Sequence, residues 1–207
     1  MIDLHTTATA NGYKAALVLE EMALPYRVIA YDLTKGEHLA PAYLQLNPVG
    51  RLPTIVDHDG SSSQPIVVYG TAAIASYLAD KTGLYMPKDV AGRAACQQWI
   101  GIVSSDLGPA YTGQFVFNVL APQADAWAIQ FYDRLVTRLL VVVEARLAAN
   151  DYLAGGEYSI ADMLAYPVAA VSAKRFPGNL ADYPAIAGWA GRIAARPAVQ
   201  RAMRVPA

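Results

Sequence analysis

The chain has 207 residues, of which 55% are hydrophobic and 16% charged, with a formal net charge of −1. Soluble domains average about 45–50% apolar and about 25% charged residues, so disorder is excluded and a large buried area or a shared interface is expected. Residues 1–80 hold 4 Lys+Arg against 8 Asp+Glu and residues 81–207 hold 12 against 9; neither half has the basic density that nucleic acid requires.

In chain order, Ile2 to His5 reads as a strand, Gly12 to Ala23 as a helix, Tyr26 to Asp32 as a strand and Pro41 to Leu46 as a helix. This β-α-β-α start precedes two apolar runs, Leu52 to Asp57 and Ile66 to Tyr69, split by Asp59-Gly60 and the Ser61–Ser63 cluster, which reads as a hairpin. Thr71 opens an amphipathic helix over Ala72 to Lys81. The arrangement is that of a thioredoxin-like domain over residues 1–80, with a parallel pair first and an antiparallel pair after it. Residues 81–91, with Gly83 and Pro87, read as a linker, and residues 92–207 as an all-helical bundle domain. Its helices are expected at Gly92 to Ser104, Ala124 to Ala149, Ile160 to Ala173, Pro184 to Ala195 and Ala198 to Met203. Cys96 falls on a helical face and reads as core, and Ser159-Ile160-Ala161-Asp162 reads as a capping box with Asp in the place of Glu.

The uncharged runs Gly60 to Ala79 and Leu107 to Ala124 carry serines, glutamines, glycines and prolines and do not read as membrane helices. The start, Met1-Ile2-Asp3-Leu4-His5, lacks the basic segment and apolar stretch of a secretion signal, and Cys96 is the one cysteine. A cytoplasmic protein that partners neither nucleic acid nor membrane is expected.

No metal-spaced Cys/His cluster, phosphate loop or nucleophile elbow is present, and His5, His38 and His58 lie far apart in sequence, so no metal is expected. The informative stretch is Asn47-Pro48-Val49-Gly50-Arg51-Leu52-Pro53-Thr54, a turn running into a strand that opens on a proline. A proline there donates nothing to a ladder; a cis Leu52–Pro53 bond would leave the preceding backbone to pair with an extended peptide. Thr71 starts a helix whose free amides suit a carboxylate, though a plain cap is an equally natural reading. Thr6-Thr7-Ala8-Thr9-Ala10-Asn11-Gly12 brings hydroxyl and amide donors to a second helix start, an arrangement that can stabilise a thiolate.

Thr9-Ala10-Asn11-Gly12-Tyr13-Lys14 is similar to the T-P-N-G-x-K of the bacterial Nu-class glutathione transferases and the related fungal nitrogen regulator. Leu19 to Tyr26, Asp32 to Glu37 and Asn47 to Pro53 continue the likeness in order. So do Gln98-Trp99, Leu107-Gly108-Pro109, Gly113-Gln114, Tyr158 to Asp162, Tyr183 to Ile186 with Trp189, and Arg196-Pro197-Ala198. The chain thus resembles the cytosolic glutathione S-transferase superfamily along nearly its whole length. The resemblance implies a homodimer with glutathione as co-substrate at the domain boundary and a small electrophile or disulfide as second substrate. By position, Thr9 and Asn11 would face the sulfur as the catalytic pair, Leu52 would offer its backbone to the cysteinyl part, and Pro53 would be the cis proline. His38, Arg51, Gly70 and Thr71 would line the rest of the glutathione site.

The pattern breaks twice. Where the family usually reads E-S-x-A-I, this chain reads Gly70-Thr71-Ala72-Ala73-Ile74, and where the Nu-class helix carries an Arg, Trp127-Ala128-Ile129-Gln130-Phe131 puts Phe131. Each break removes a charge-assisted hydrogen bond to glutathione, worth roughly 1.5–3 kcal/mol; Arg51, Lys14 or His38 are the cations left to compensate. Two readings stand: a glutathione-dependent transferase or disulfide-bond reductase, and a glutathione-transferase-like binding or regulatory protein with weakened or lost glutathione binding.

Overall fold

The computed structural model describes residues 1–60, 64–175, 180 and 182–206, the side chains of 173–175 excepted; the serine cluster of the expected hairpin loop lies outside them. Four strands, β1 (Ile2–Thr6), β2 (Tyr26–Ala30), β3 (Thr54–Asp57) and β4 (Ile66–Tyr69), form one sheet in the order β2-β1-β3-β4. β1 pairs with β2 in parallel, whereas β1–β3 and β3–β4 are antiparallel. A parallel pair needs a crossover, and α1 (Ala10–Glu21) supplies it. α1 begins two residues earlier than its apolar periodicity places it, because Thr9 caps it: the Thr9 hydroxyl accepts the Gly12 amide at 3.2 Å.

Side chains alternate along β1. Leu4, Leu17 and Leu19 of α1, and Ile74 and Leu78 of α3 (Thr71–Thr82), are all fully buried. His5 points the other way, its ring 6.1 Å from that of Tyr43 on α2 (Pro41–Leu46). Two short 3₁₀ turns, Leu33–Lys35 and Glu37–Leu39, precede α2 and were not foreseen.

The backbone divides into two compact units, Met1–Met86 with Ala194–Ala207, and Pro87–Ile193. The closing helix, numbered α9 (Pro197–Ala202) here, packs on α1 within the first unit. Arg196 grips Glu21 with two bonds of 2.6 and 2.7 Å, and Arg201 reaches Glu20 at 2.6 Å.

The second unit holds α4 (Val90–Gly101), α5 (Gly108–Phe115), α6 (Ala126–Ala149), α7 (Ile160–Arg175) and α8 (Pro184–Ala194). The helix expected over Gly92 to Ser104 does not stop there: helical backbone runs from Val90 to Leu120. The turns of 102–107 widen into a π segment in which the Gly108 amide bonds Val103 O, five residues back. A proline is tolerated after such a widened turn because the usual i−4 partner is already displaced. Gly113 then lies flat against a ring: a Cβ there would come within 2.1 Å of Tyr132. Cys96 is fully buried, as its helical face implies.

α7 is the apolar centre of this unit, and Asp162 in its first turn is fully buried. The acid does reach back to the Ser159 amide, at 3.0 Å, but the Ser159 hydroxyl donates to Asp162 at 3.1 Å rather than capping an amide. The other carboxylate oxygen accepts the Leu153 amide and the Trp189 indole N–H, both at 2.9 Å. Desolvation raises the Asp162 pKa, and these donors oppose it. Asp162→Ala strands three buried N–H donors, each worth about 1–3 kcal/mol when unmade. Urea unfolding is therefore expected to show a loss of at least about 3 kcal/mol; a variant within about 1 kcal/mol of wild type would contradict the hub.

Candidate functional site

Three strand ends meet at one edge of the sheet. The register aligns His5 with Thr54 and Thr54 with Tyr69, so the exit of β1, the entry of β3 and the exit of β4 are neighbours. Thr9 follows the first, Leu52 and Pro53 precede the second, and Gly70 and Thr71 follow the third. His38 joins them through its backbone: its carbonyl oxygen lies 3.6 Å from the point where a Cβ on Gly50 would sit. Thr9, Asn11, Arg51, Leu52, Pro53, Gly70 and Thr71 thus flank these strand ends, whereas His38 is placed beside Gly50 by its backbone alone. The Leu52–Pro53 peptide bond is cis.

Two helices start here. α1 is held close by Gly12, where a Cβ would fall 2.0 Å from Thr7 O and 2.6 Å from Thr6 Oγ1; no other residue lets the helix approach this strand exit. Thr9 Oγ1 takes the Gly12 amide, so the amides of Ala10 and Asn11 have no partner within the helix and the Thr9 hydroxyl proton is free to be donated. Asn11 is exposed. α3 has Gly70 as its cap residue, with no side-chain bond to its first-turn amides. Both starts carry partial positive charge and suit an anion.

Gly70 has φ +85° and ψ 123°. A Cβ there meets nothing within 4 Å, so a longer side chain has room, but it would hold a backbone conformation that costs about 1–3 kcal/mol outside glycine. Arg51 is exposed, and Leu52 and Thr71 are half-buried. Lys14, one turn along α1 from Asn11, is only 2% exposed. Desolvation draws its pKa down to about 8.

Sequence reasoning missed the support beneath the edge. Tyr43, Asn47 and Thr54 are each at most 2% exposed. The Tyr43 hydroxyl donates to Arg51 O at 2.6 Å, and Asn47 Nδ2 donates to the same oxygen at 2.7 Å. Thr54 Oγ1 lies 2.8 Å from the Tyr43 hydroxyl and 3.2 Å from Asn47 Nδ2. The Tyr43 ring lies 4.8 Å from that of Tyr31, tilted by 58°, and the Tyr31 hydroxyl is 2.9 Å from His5 Nδ1. The available signal was the four-residue spacing of Tyr43 and Asn47, because Asn47 is the residue that ends α2 and its amide closes the last turn on Tyr43 O.

In the second unit, Phe131 is 41% exposed. Its ring stacks on Trp127 at 5.4 Å and meets Tyr132 edge-on at 5.3 Å. Among the described residues, no three His, Cys, Asp or Glu side chains gather to hold a metal, and no helix is long and apolar enough to cross a membrane.

Residues 10–81 match the glutathione S-transferase N-terminal domain and residues 112–197 the C-terminal domain of that enzyme. The chain is 40% identical over 205 residues to the disulfide-bond oxidoreductase YfcG of Escherichia coli, covering 98% of this chain and 94% of the relative. The chain belongs to the glutathione S-transferase family. Among solved members, a glutathione transferase of Burkholderia graminis with two glutathione molecules bound per subunit superposes with a TM-score of 0.93 at 31% identity, over 99% of this chain and 88% of that one. A glutathione transferase of Phanerochaete chrysosporium in complex with oxidised glutathione gives 0.90 at 32% identity, over 97% and 94%.

Lys14 offers a pH test of this glutathione S-transferase fold. Its folded pKa of about 8 lies below the ordinary lysine value of 10.5, so between those values the unfolded chain binds more protons and stability rises with pH. The charged form costs the fold about 3 kcal/mol below pH 8. Lys14→Met is expected to be more stable than wild type at pH 7, the gap closing towards pH 10 in parallel urea titrations. A gap that is absent or widens with pH would contradict the burial of an unpaired ammonium.

Proposed function

We propose that the protein is a glutathione-dependent enzyme of the Nu-class type, a disulfide-bond reductase or glutathione transferase working as a cytoplasmic homodimer. The observation that carries this reading is the meeting of two helix starts with free amides and the Leu52 edge at one end of the sheet. The names of the relatives support the same chemistry. Residues 1–80 would hold glutathione: Leu52 pairs with the cysteinyl backbone, the α3 start with Thr71 takes the γ-glutamyl carboxylate, and His38, Arg51, Pro53 and Gly70 line the remainder.

The thiol of glutathione points at the α1 start. The Thr9 hydroxyl, already an acceptor for Gly12, donates its one proton to the sulfur, and Asn11 adds a second donor. These bonds and the helix dipole favour the thiolate over the thiol, whose unperturbed pKa is about 8.5. The thiolate attacks one sulfur of a disulfide, forming a mixed disulfide and releasing the other sulfur as a thiolate. A second glutathione attacks the mixed disulfide at the glutathione sulfur, giving oxidised glutathione and the second reduced thiol. With an electrophile, the same thiolate forms the carbon–sulfur bond as the carbon's leaving group departs with its bonding pair. No step needs a protein cysteine, consistent with Cys96 being buried and its pKa raised by burial.

The regulatory reading rests on Gly70 and Phe131, which leave the γ-glutamyl ammonium without a carboxylate and place a ring where the Nu-class group has a guanidinium. Gly70→Glu with Phe131→Arg separates the two: strengthened glutathione binding despite the strained φ at 70 would mark a site that has lost affinity. For the enzyme reading, Thr9→Ala with Asn11→Ala is expected to lower turnover of a small disulfide by at least about a hundredfold. The lost cap costs only about 1 kcal/mol, so circular dichroism should report an intact fold. Unchanged turnover would sink the assignment.

A further inference from the structure

The protons beneath the edge can be counted. Tyr43 has one hydroxyl hydrogen, and it goes to Arg51 O at 2.6 Å. The 2.8 Å contact between Tyr43 and Thr54 therefore has Thr54 as donor and Tyr43 as acceptor. Asn47 Nδ2 has two hydrogens: one goes to Arg51 O at 2.7 Å and the other to Thr54 Oγ1 at 3.2 Å. Asn47 Oδ1 accepts the Val49 amide at 3.0 Å, which fixes which end of the side-chain amide carries the hydrogens. The result is a closed ring of four bonds in which every polar hydrogen is used and both lone pairs of Arg51 O are filled. Its three side chains are at most 2% exposed.

Such a ring acts on one peptide plane. The Arg51–Leu52 bond is not among the cis bonds, and in a trans peptide the C=O and the following N–H lie in one plane and point in opposite directions. Pinning Arg51 O inward from two sides therefore aims the Leu52 N–H outward, away from α2. Leu52 lies outside the ladder of β3, which starts at Thr54.

We infer that Tyr43, Asn47 and Thr54 form a clamp that presets the Leu52 amide for ligand capture, making them positioning residues for the glutathione site. The inference rests on the glutathione reading for what is captured, but the clamp itself is a property of the ligand-free protein. Because the Leu52 amide meets the cysteinyl backbone, whose charge does not change as the sulfur reacts, its bond is made equally in the ground and transition states. Loosening the clamp should raise KM and leave kcat alone.

The experiment has two arms on the full chain. In the first, residual dipolar couplings of the ligand-free protein report the direction of the Leu52 N–H in wild type, Tyr43→Phe, Thr54→Val, Thr54→Ser and Tyr26→Phe. Tyr26 is the control, a half-buried tyrosine whose hydroxyl serves Glu20 instead. Tyr43→Phe and Thr54→Val are expected to reorient or average the Leu52 vector, whereas Thr54→Ser, which keeps the hydroxyl, and Tyr26→Phe hold it. In the second arm, Tyr43→Phe is expected to raise KM for glutathione about tenfold with kcat within about twofold, a loss of about 1.4 kcal/mol in binding. An unchanged Leu52 vector in Tyr43→Phe and Thr54→Val overturns the clamp, as does a loss confined to kcat. Wild type that binds no glutathione sinks the glutathione reading instead, and the first arm still decides the clamp.

Discussion

A helix can present its amides at the edge of a sheet only if its first turn sits against the strand exit, and in this protein Gly12 makes that approach possible. With Thr7 O 2.0 Å from where a Cβ would lie, any side chain at 12 would push α1 outward. The Thr9 hydroxyl and the free amides of Ala10 and Asn11 would move with it. The same contact sets the path of α1 towards Glu20 and Glu21, through which α9 is tied back to the first unit by Arg196 and Arg201. One absent carbon therefore links the candidate thiolate site to the closure of the domain.

The edge is built from opposites. Its outer side is the first-turn amides of α1 and α3, among which Ala10, Asn11 and those after Gly70 have no partner within their own helix. Its inner side is a hydrogen-bonded network of Tyr43 on α2, Asn47 at its end and Thr54 on β3 around Arg51 O. Free amides are costly where water is excluded and useful where an anion arrives. Lys14 belongs to the same economy of charge: it is a buried ammonium on α1 whose desolvation lowers its pKa to about 8.

Much of this fold can be read from the chain because its signals are local. Strand β4 and helix α2 fall where the apolar run and the Pro41 start place them, and all the candidate residues but His38 lie at strand ends and helix starts that turn chemistry marks. Local signals fail where a longer-range partner decides. The helix expected to end at Ser104 runs on, because the π segment of 102–107 absorbs Pro109 and α5 continues. Tyr43 looks like any aromatic on a short helix; its role depends on Arg51 O, eight residues on and beyond a turn. Gly70 reads as a missing carboxylate, and only its φ of +85° shows that the backbone itself is tuned for glycine.

The central claim is that the start of α1 stabilises a glutathione thiolate. The direct measurement is the ultraviolet absorbance of the thiolate, near 240 nm, titrated from pH 5 to 10 with protein in excess over glutathione. The account predicts that bound glutathione ionises at least about one unit below the free thiol value of about 8.5, and that the shift disappears in Thr9→Ala with Asn11→Ala. Glutathione that binds and ionises at the free value would contradict it.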